Sequence, residues 1–279
     1  WLGAWSSASL TAGVDLNHPG PLLFDAIAPA VRLFGMSAGT FIGVAFINIS
    51  AVSCAGFLAH RRGGRQASLI VYLSCSVLGF AMGSSLLVDP WNPHVLLLST
   101  VALLVAAWGV AEGDPIALIA YVTVGSFCVQ THLGFVYLVP GLLVCSGAIW
   151  WRSGRKPLPR TCGLTPRQTW WVVSVIALLL WSQPIAEQFF GSGRGNLARI
   201  LDARSSSAAT IGVGLAVRLV SSVVFRSPLA WRSGFIIAVP DTPYVSKGVL
   251  APVKVHGFAS SAIVVLVVLA LIVVTSMRL

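Results

Sequence analysis

The hydrophobic positions are gathered into long runs at residues 37–60, 68–88, 94–111, 170–190, 208–225 and 258–277, with short polar or Gly- and Pro-rich stretches between them. Crossing a bilayer core takes about 20 predominantly apolar residues in helical form, so each run predicts a membrane helix. The first run reaches about 36 Å at about 1.5 Å per residue, enough to cross with some tilt. Residues 115–151 are ambiguous, being too many for one ordinary span and interrupted by Gln130, Thr131 and His132.

Charge placement decides the ambiguous case. Basic residues favour the cytoplasmic side, and the two densest clusters are Arg61/Arg62/Arg65 and Arg152/Arg155/Lys156/Arg160/Arg167. If both are cytoplasmic, an even number of crossings separates them, and 115–151 must then be two short passes. Gln130-Thr131-His132 faces outward in that arrangement, as do residues 1–36, the turn from Asp89 to His94, and 191–207. Ten basic residues in cytoplasmic loops, counting Arg226 and Arg232, stand against Arg32, Arg194, Arg199 and Arg204 outside. The segment 234–257 reads either as a loop or as a re-entrant stretch, and the C-terminal parity depends on it. The expectation is an all-α, polytopic membrane protein of about eight transmembrane helices, forming one multi-pass domain over 1–279.

Composition narrows the function class. Of the 279 residues 56% are hydrophobic and only 9% charged, against roughly a quarter charged in soluble domains, which excludes an ordinary water-soluble globule. The formal charge of +10 belongs to the loops and reports topology, so nucleic-acid binding is a poor reading. Five cysteines without a CxxC pair give neither a zinc site nor a disulfide framework. The opening, Trp1 to Leu10, has neither the basic flank nor the apolar core of a signal peptide. We expect a chain whose first membrane helix is missing.

Polar residues beside or within apolar runs are the informative ones. The segment Asp15-Leu-Asn17-His18-Pro19-Gly20-Pro21 forces an extended turn, and residues 22–35, ending at Gly35, predict a short helix lying along the outer interface. Asp15 and His18 are there either a carboxylate and a second donor at a cleft, or parts of a capped loop. His132 is either a helix-end cap or a group facing an outer cavity. Gln183 and Glu187 are four apart and share a helix face, and Glu187 is the one acidic residue inside its apolar run. Pro184 between them would kink that helix. Arg194, Arg199 and Arg204, with Gly-Ser-Gly-Arg-Gly before them, form a basic patch suited either to phosphate oxygens or to lipid headgroups. The glycines lack the GxxxxGK[ST] form of a nucleotide-binding loop. Asp89-Pro-Trp-Asn-Pro-His94 reads as a turn with an interfacial Trp anchor.

The run Asn17-His18-Pro19-Gly20-Pro21-Leu22-Leu23-Phe24, followed by Arg32-Leu33-Phe34-Gly35, resembles the first outer loop of multi-pass GT-C glycosyltransferases, especially actinobacterial membrane proteins related to protein O-mannosyltransferases. Ser182-Gln183-Pro184-Ile185-Ala186-Glu187-Gln188, with Gly195-Asn196-Leu197, looks like a second element of those proteins. The resemblance implies sugar transfer, with inversion, from a polyprenyl-phosphate donor to an extracytoplasmic glycan or protein acceptor at the plasma membrane. It assigns the base to Asp15, the carboxylate before His18. Arg194, Arg199 and His18 would meet the departing phosphate, where negative charge develops. Asn17, His132, Gln183 and Glu187 would line the substrate cavity. The paired acidic motif of the O-mannosyltransferases is not visible. Some relatives use a divalent metal, for which the chain shows no ligand cluster. The rival reading is a multi-pass transporter or flippase of a lipid-linked or anionic substrate, in which Glu187, His132 and the arginines line a route through the membrane. A noncatalytic relative that binds a lipid-linked sugar is a third.

Overall fold

A computed structural model describes residues 1–9, 13–154, 163–191 and 193–205, together with 245–246 and 249–250. The helices are α1 (Leu22–Phe34), α2 (Met36–Met82), α3 (Asn92–Ala111), α4 (Pro115–Thr131), α5 (Phe135–Arg152), α6 (Pro166–Phe190) and α7 (Asn196–Ser205), with a 3₁₀ turn at Ser84–Leu87. Four stretches are long and apolar enough to cross a membrane: Met36–Phe80 of α2, and α3, α5 and α6, while α4 is apolar but shorter, at 17 residues. The chain divides into two compact units, 1–76 with 84–206, and 77–83 with 207–279. In the second unit Val245–Ser246 pairs antiparallel with Val249–Leu250. The helices expected at 208–225 and 258–277 lie outside the described residues.

α2 is two helical segments rather than one. Gly63 and Gly64 leave helical geometry, and Gly64 takes a positive φ of 63°, which glycine adopts without steric cost. Ser68 Oγ donates to Gly56 O at 2.8 Å, although twelve residues of straight helix would separate those atoms by about 18 Å. The chain therefore doubles back at the Gly-Gly pair, where the apolar pattern places the break between the first two runs. The stretch 115–151 also divides, at His132–Gly134 between α4 and α5.

Start signals explain the other boundaries. The Asp114 side chain accepts from Ile116 N at the start of α4, with Pro115 in its first turn. Thr165 and Gln168 form a reciprocal capping box on α6, satisfying donors that a helix start leaves open. α6 continues through Pro184 to Phe190. α1 begins after Pro21 and ends where Gly35 takes φ 79°. It then runs back along the start of α2, because Gly39 and Gly43 leave no side chain between the backbones. A Cβ on Gly43 would lie 2.9 Å from Ile27 Cα, the close approach that small residues four apart permit.

In the first unit α4 packs against α3, α6 and α1, and α3 against α5. Leu58, Leu103, Ala106, Ala107, Ala117 and Tyr121 form the core, and the Tyr121 hydroxyl donates to Val139 O. By contrast, Val144, Leu178 and Leu179 on α5 and α6 are about two-thirds exposed or more. Apolar surface of that extent suits contact with lipid rather than water.

Candidate functional site

The residues 13–20 and 1–9 fold into a compact loop before α1. Ser6 N donates to Leu16 O, and His18 N donates to Ala4 O at 2.8 Å. Ser9 Oγ both accepts from Leu16 N and donates to Leu16 O. The loop needs glycine at two close approaches: a Cβ on Gly3 would lie 2.7 Å from His18 O, and one on Gly20 would lie 2.6 Å from Gln130 Cδ and 2.7 Å from Pro184 Cγ. Gly20 thus lets His-Pro-Gly-Pro settle into the angle between the end of α4 and the end of α6.

Asn196 ties this loop to α7. Its Oδ1 accepts from Asn17 N at 3.1 Å, and its Nδ2 donates to Asn17 O and His18 O at 3.1 and 3.3 Å. The side chain is 1% exposed. Asn196 N donates in turn to both carboxylate oxygens of Glu187, the nearer at 2.9 Å, and Ala198 N donates to Gln188 Oε1 at 3.1 Å. Glu187 and Gln188, one turn from the end of α6, therefore cap the open N–H groups of α7 and set negative charge at its positive end. Glu187, expected to line a cavity, is buried in this structural role.

His18 and His132 stack with ring centroids 5.1 Å apart. His18 Nδ1 accepts from Leu133 N, and His132 Nδ1 accepts from Gly134 N, both at 3.2 Å, which leaves the proton of each neutral ring on Nε2. Burial, and next the neighbouring His132, lower the pKa of His18 to about 4, and burial lowers that of His132. Both rings are consequently neutral near pH 7. His18 can donate a hydrogen bond to a departing phosphate, but it brings no positive charge.

The arginines differ from one another. Arg194 is exposed and paired with Asp202. Arg199 is half-buried and its Nη1 reaches Asp15 O at 3.4 Å, while its buried Nε has no partner among the described residues. Asp15 itself is exposed, so its carboxylate and the Arg199 guanidinium belong to one surface patch joined through the Asp15 main chain. Gln183 turns away from Glu187 and donates through Nε2 to Asp25 Oδ2 at 2.8 Å. Gln130 is fully buried, with Nε2 bonded to Leu180 O and Oε1 without a partner among the described residues. The structure thus brings Asn17, His18, His132 and Glu187 into one junction, with Asp15 and Arg199 on its surface. Arg194 and Gln183 lie on the flanking elements with other partners. Asn196, Gln188 and Asp25 carry connections that the linear pattern did not single out. Asp25 had one signal, a carboxylate in the first turn of a helix.

A second polar group lies at the other ends of α3 and α4. Arg61 forks onto both oxygens of Asp114 at 3.0 Å, and Arg62 bridges Asp114 at 2.7 Å and Glu112 at 3.2 Å. Burial raises the Asp114 pKa, but hydrogen bonding from Arg61 and the charge of Arg62 outweigh it and leave the carboxyl below 3.8. Two arginines of the first basic cluster are thereby committed to ion pairs. The Asp89–His94 turn is likewise closed on itself, with His94 Nδ1 2.6 Å from Asp89 Oδ2 and the Trp91 ring edge-on to His94.

Among the described residues no three His, Cys, Asp or Glu side chains converge in a way that could hold a metal ion. No family model matches the chain, and neither a curated protein nor a solved structure matches it.

Proposed function

We propose that the protein is an integral membrane glycosyltransferase that moves a sugar from a polyprenyl-phosphate donor to a hydroxyl acceptor at the His18 end of the helices, on the extracytoplasmic face of the plasma membrane. The observation that carries this reading is the pairing of Arg199 with the loop around Asp15. There a guanidinium whose Nε has no partner among the described residues touches the main chain of an exposed carboxylate residue. Inverting transfer needs these two features side by side: a cation for the phosphate that leaves, and a carboxylate for the proton of the hydroxyl that attacks. Asp15 takes that proton as the acceptor oxygen bonds to the anomeric carbon and the phosphate departs with the bond electrons. Neutral His18 contributes only a hydrogen bond through Nε2. Arg194, paired with Asp202, serves the donor less directly than Arg199.

The transporter reading asks for polar side chains along a route between the two ends of the helices. Between the His18 junction and the Arg61–Asp114 group, however, stand Leu58, Leu103, Ala106, Ala107, Ala117 and the buried Tyr121. This arrangement favours chemistry at one end over passage.

The test is transfer of label from a panel of radiolabelled polyprenyl-phosphate sugars by the full-length protein in lipid. Asp15→Asn and Arg199→Ala are expected to lose transfer while the protein stays folded. Donor binding without transfer by the wild type, or undiminished transfer by Asp15→Asn, would remove the assignment.

A further inference from the structure

Below Asp25 a groove of about 610 Å³ opens between α1, α2, α3, α4 and α6. Leu22, Phe46, Phe127 and Leu180 are among its apolar walls, and among the described residues Asp25 is the one charged side chain that lines it. Of the hydroxyls within it, Thr123 donates to Ile119 O at 2.9 Å and Ser99 to Val95 O at 3.4 Å, and Ser50 is the third. The charged recognition group stands at the mouth, where exposed Asp25 accepts from Gln183 Nε2. Phe46, 66% exposed, leaves the apolar wall open to a hydrocarbon chain.

The mouth selects by charge. Asp25 lies in the first turn of α1, where the helix dipole favours a negative group, and among the described residues no Lys, Arg or His lines the groove. A phosphate head would meet a carboxylate without a compensating cation. An uncharged, hydroxyl-bearing head would donate to Asp25 and exchange hydrogen bonds with the Gln183 amide, while its chain covered the apolar wall. The phosphate-binding arginine sits elsewhere, against Asp15, so the groove is distinct from the place assigned to the donor phosphate.

We propose that this groove seats a lipid with an uncharged, hydroxylated headgroup, held at its head by Asp25 and Gln183, and that this glycolipid-like amphiphile is the sugar acceptor. The acceptor role rests on the transfer reading above, whereas the seat itself rests on the groove. Gln183 is then a headgroup contact reached through Asp25, one helical turn from the Glu187 cap.

Three photoreactive probes of equal chain length test the seat: an alkyl glucoside, an alkyl phosphate and an alkyl trimethylammonium, each incubated with the full-length protein in phospholipid nanodiscs without any sugar donor. The glucoside is expected to label α2, α4 and α6 around the groove about fivefold or more above the phosphate, the ratio that like-charge repulsion near water supplies. Asp25→Asn keeps a hydrogen-bonding group and should narrow that ratio by admitting the phosphate. Asp25→Lys should reverse it. Ratios unchanged in both variants, or wild-type labelling led by the phosphate or the ammonium, would overturn the assignment. Selective glucoside labelling by a protein that transfers no sugar would overturn the transfer reading and leave the lipid seat standing.

Discussion

Asn196→Ala tests the clamp between the His18 loop and α7. The carboxamide meets three main-chain groups of the loop, Asn17 N, Asn17 O and His18 O, from a position 1% exposed. Water cannot readily replace it there. An orphaned buried donor costs about 1–3 kcal/mol and a neutral hydrogen bond contributes about 1 kcal/mol, so losing one donor's partner and loosening two carbonyls should cost about 2–4 kcal/mol. The loss falls first on local opening of the loop, because this side chain makes three of its hydrogen bonds to α7 and the Arg199 contact is weaker. At about 1.4 kcal/mol per tenfold, protection of the loop amides should fall roughly 30- to 700-fold. The amides to follow are those of Leu16 and His18, whose acceptors, Ser9 Oγ and Ala4 O, are not touched by the substitution. Hydrogen exchange read by mass spectrometry, in detergent or nanodiscs, measures this directly. Exchange at Leu16 and His18 within about threefold of wild type would refute the clamp, since even one neutral hydrogen bond is worth more than that.

Further substitutions probe the remaining contacts. Gly20→Ala should destabilise by about 1–3 kcal/mol, as overpacking does, because its Cβ meets the buried Gln130 side chain and the rigid Pro184 ring; a thermal melt equal to wild type would contradict that packing. Asp114→Asn keeps the α4 cap but strips Arg61 and the 2%-exposed Arg62 of a shared carboxylate, at a cost of about 2–3 kcal/mol because Glu112 still holds Arg62. Since the folded carboxyl lies below its ordinary 3.8, the stability it supplies is present above that value and is lost as pH falls through the lowered one, and the wild-type acid limb should flatten in Asp114→Asn melts. His18 has the opposite chemistry and the same direction: folding lowers its pKa from 6.5 to about 4, so between those values the unfolded chain binds the extra proton and stability falls on acidification. His18→Gln should reduce that slope between pH 6.5 and 4 in melting temperature, leaving the share that comes from His132, whose pKa burial also lowers, and a slope of wild-type size would clear His18 of responsibility.

The membrane helices were legible in the sequence because apolar length is a local property: the runs that begin near 37, 94 and 170 became α2, α3 and α6. The stretch 115–151 divides into two helices where parity of the basic clusters expected two passes, since the positive-inside rule adds a long-range constraint that hydropathy lacks. Gly63-Gly64 was legible only as the end of a run. The doubling back shows in the contact of Ser68 with Gly56, which no window of residues contains. Part of the site was equally readable. Pro21 and Gly35 bracket α1, and Asn17, His18, His132 and Glu187 were picked out as polar groups beside apolar runs, which the fold then brings together.

Roles were less legible than places, and the reason is competition for the same atoms. An acidic residue in an apolar run is costly unless it is paired, which makes Glu187 conspicuous; that cost is met equally well by a substrate or by the open N–H groups of a helix nine residues onward. The fold settles on the helix, because Gly193 takes a positive φ and Gly191 and Gly195 admit close approach to Glu187 and Gln188, so that Asn196 N reaches the carboxylate. Gln183, one turn earlier on α6, faces Asp25 instead. Asp25 was hidden in the sequence by its ordinary position in a first helical turn, where a carboxylate needs no further explanation. Only the groove beneath it, with no cation along it among the described residues, turns it from a helix-end charge into the proposed selector of headgroups. Glu187 and Asp25 therefore exchange importance between sequence and structure for one physical reason: a charge informs about function in proportion to how little of its hydrogen-bonding capacity the fold has already used.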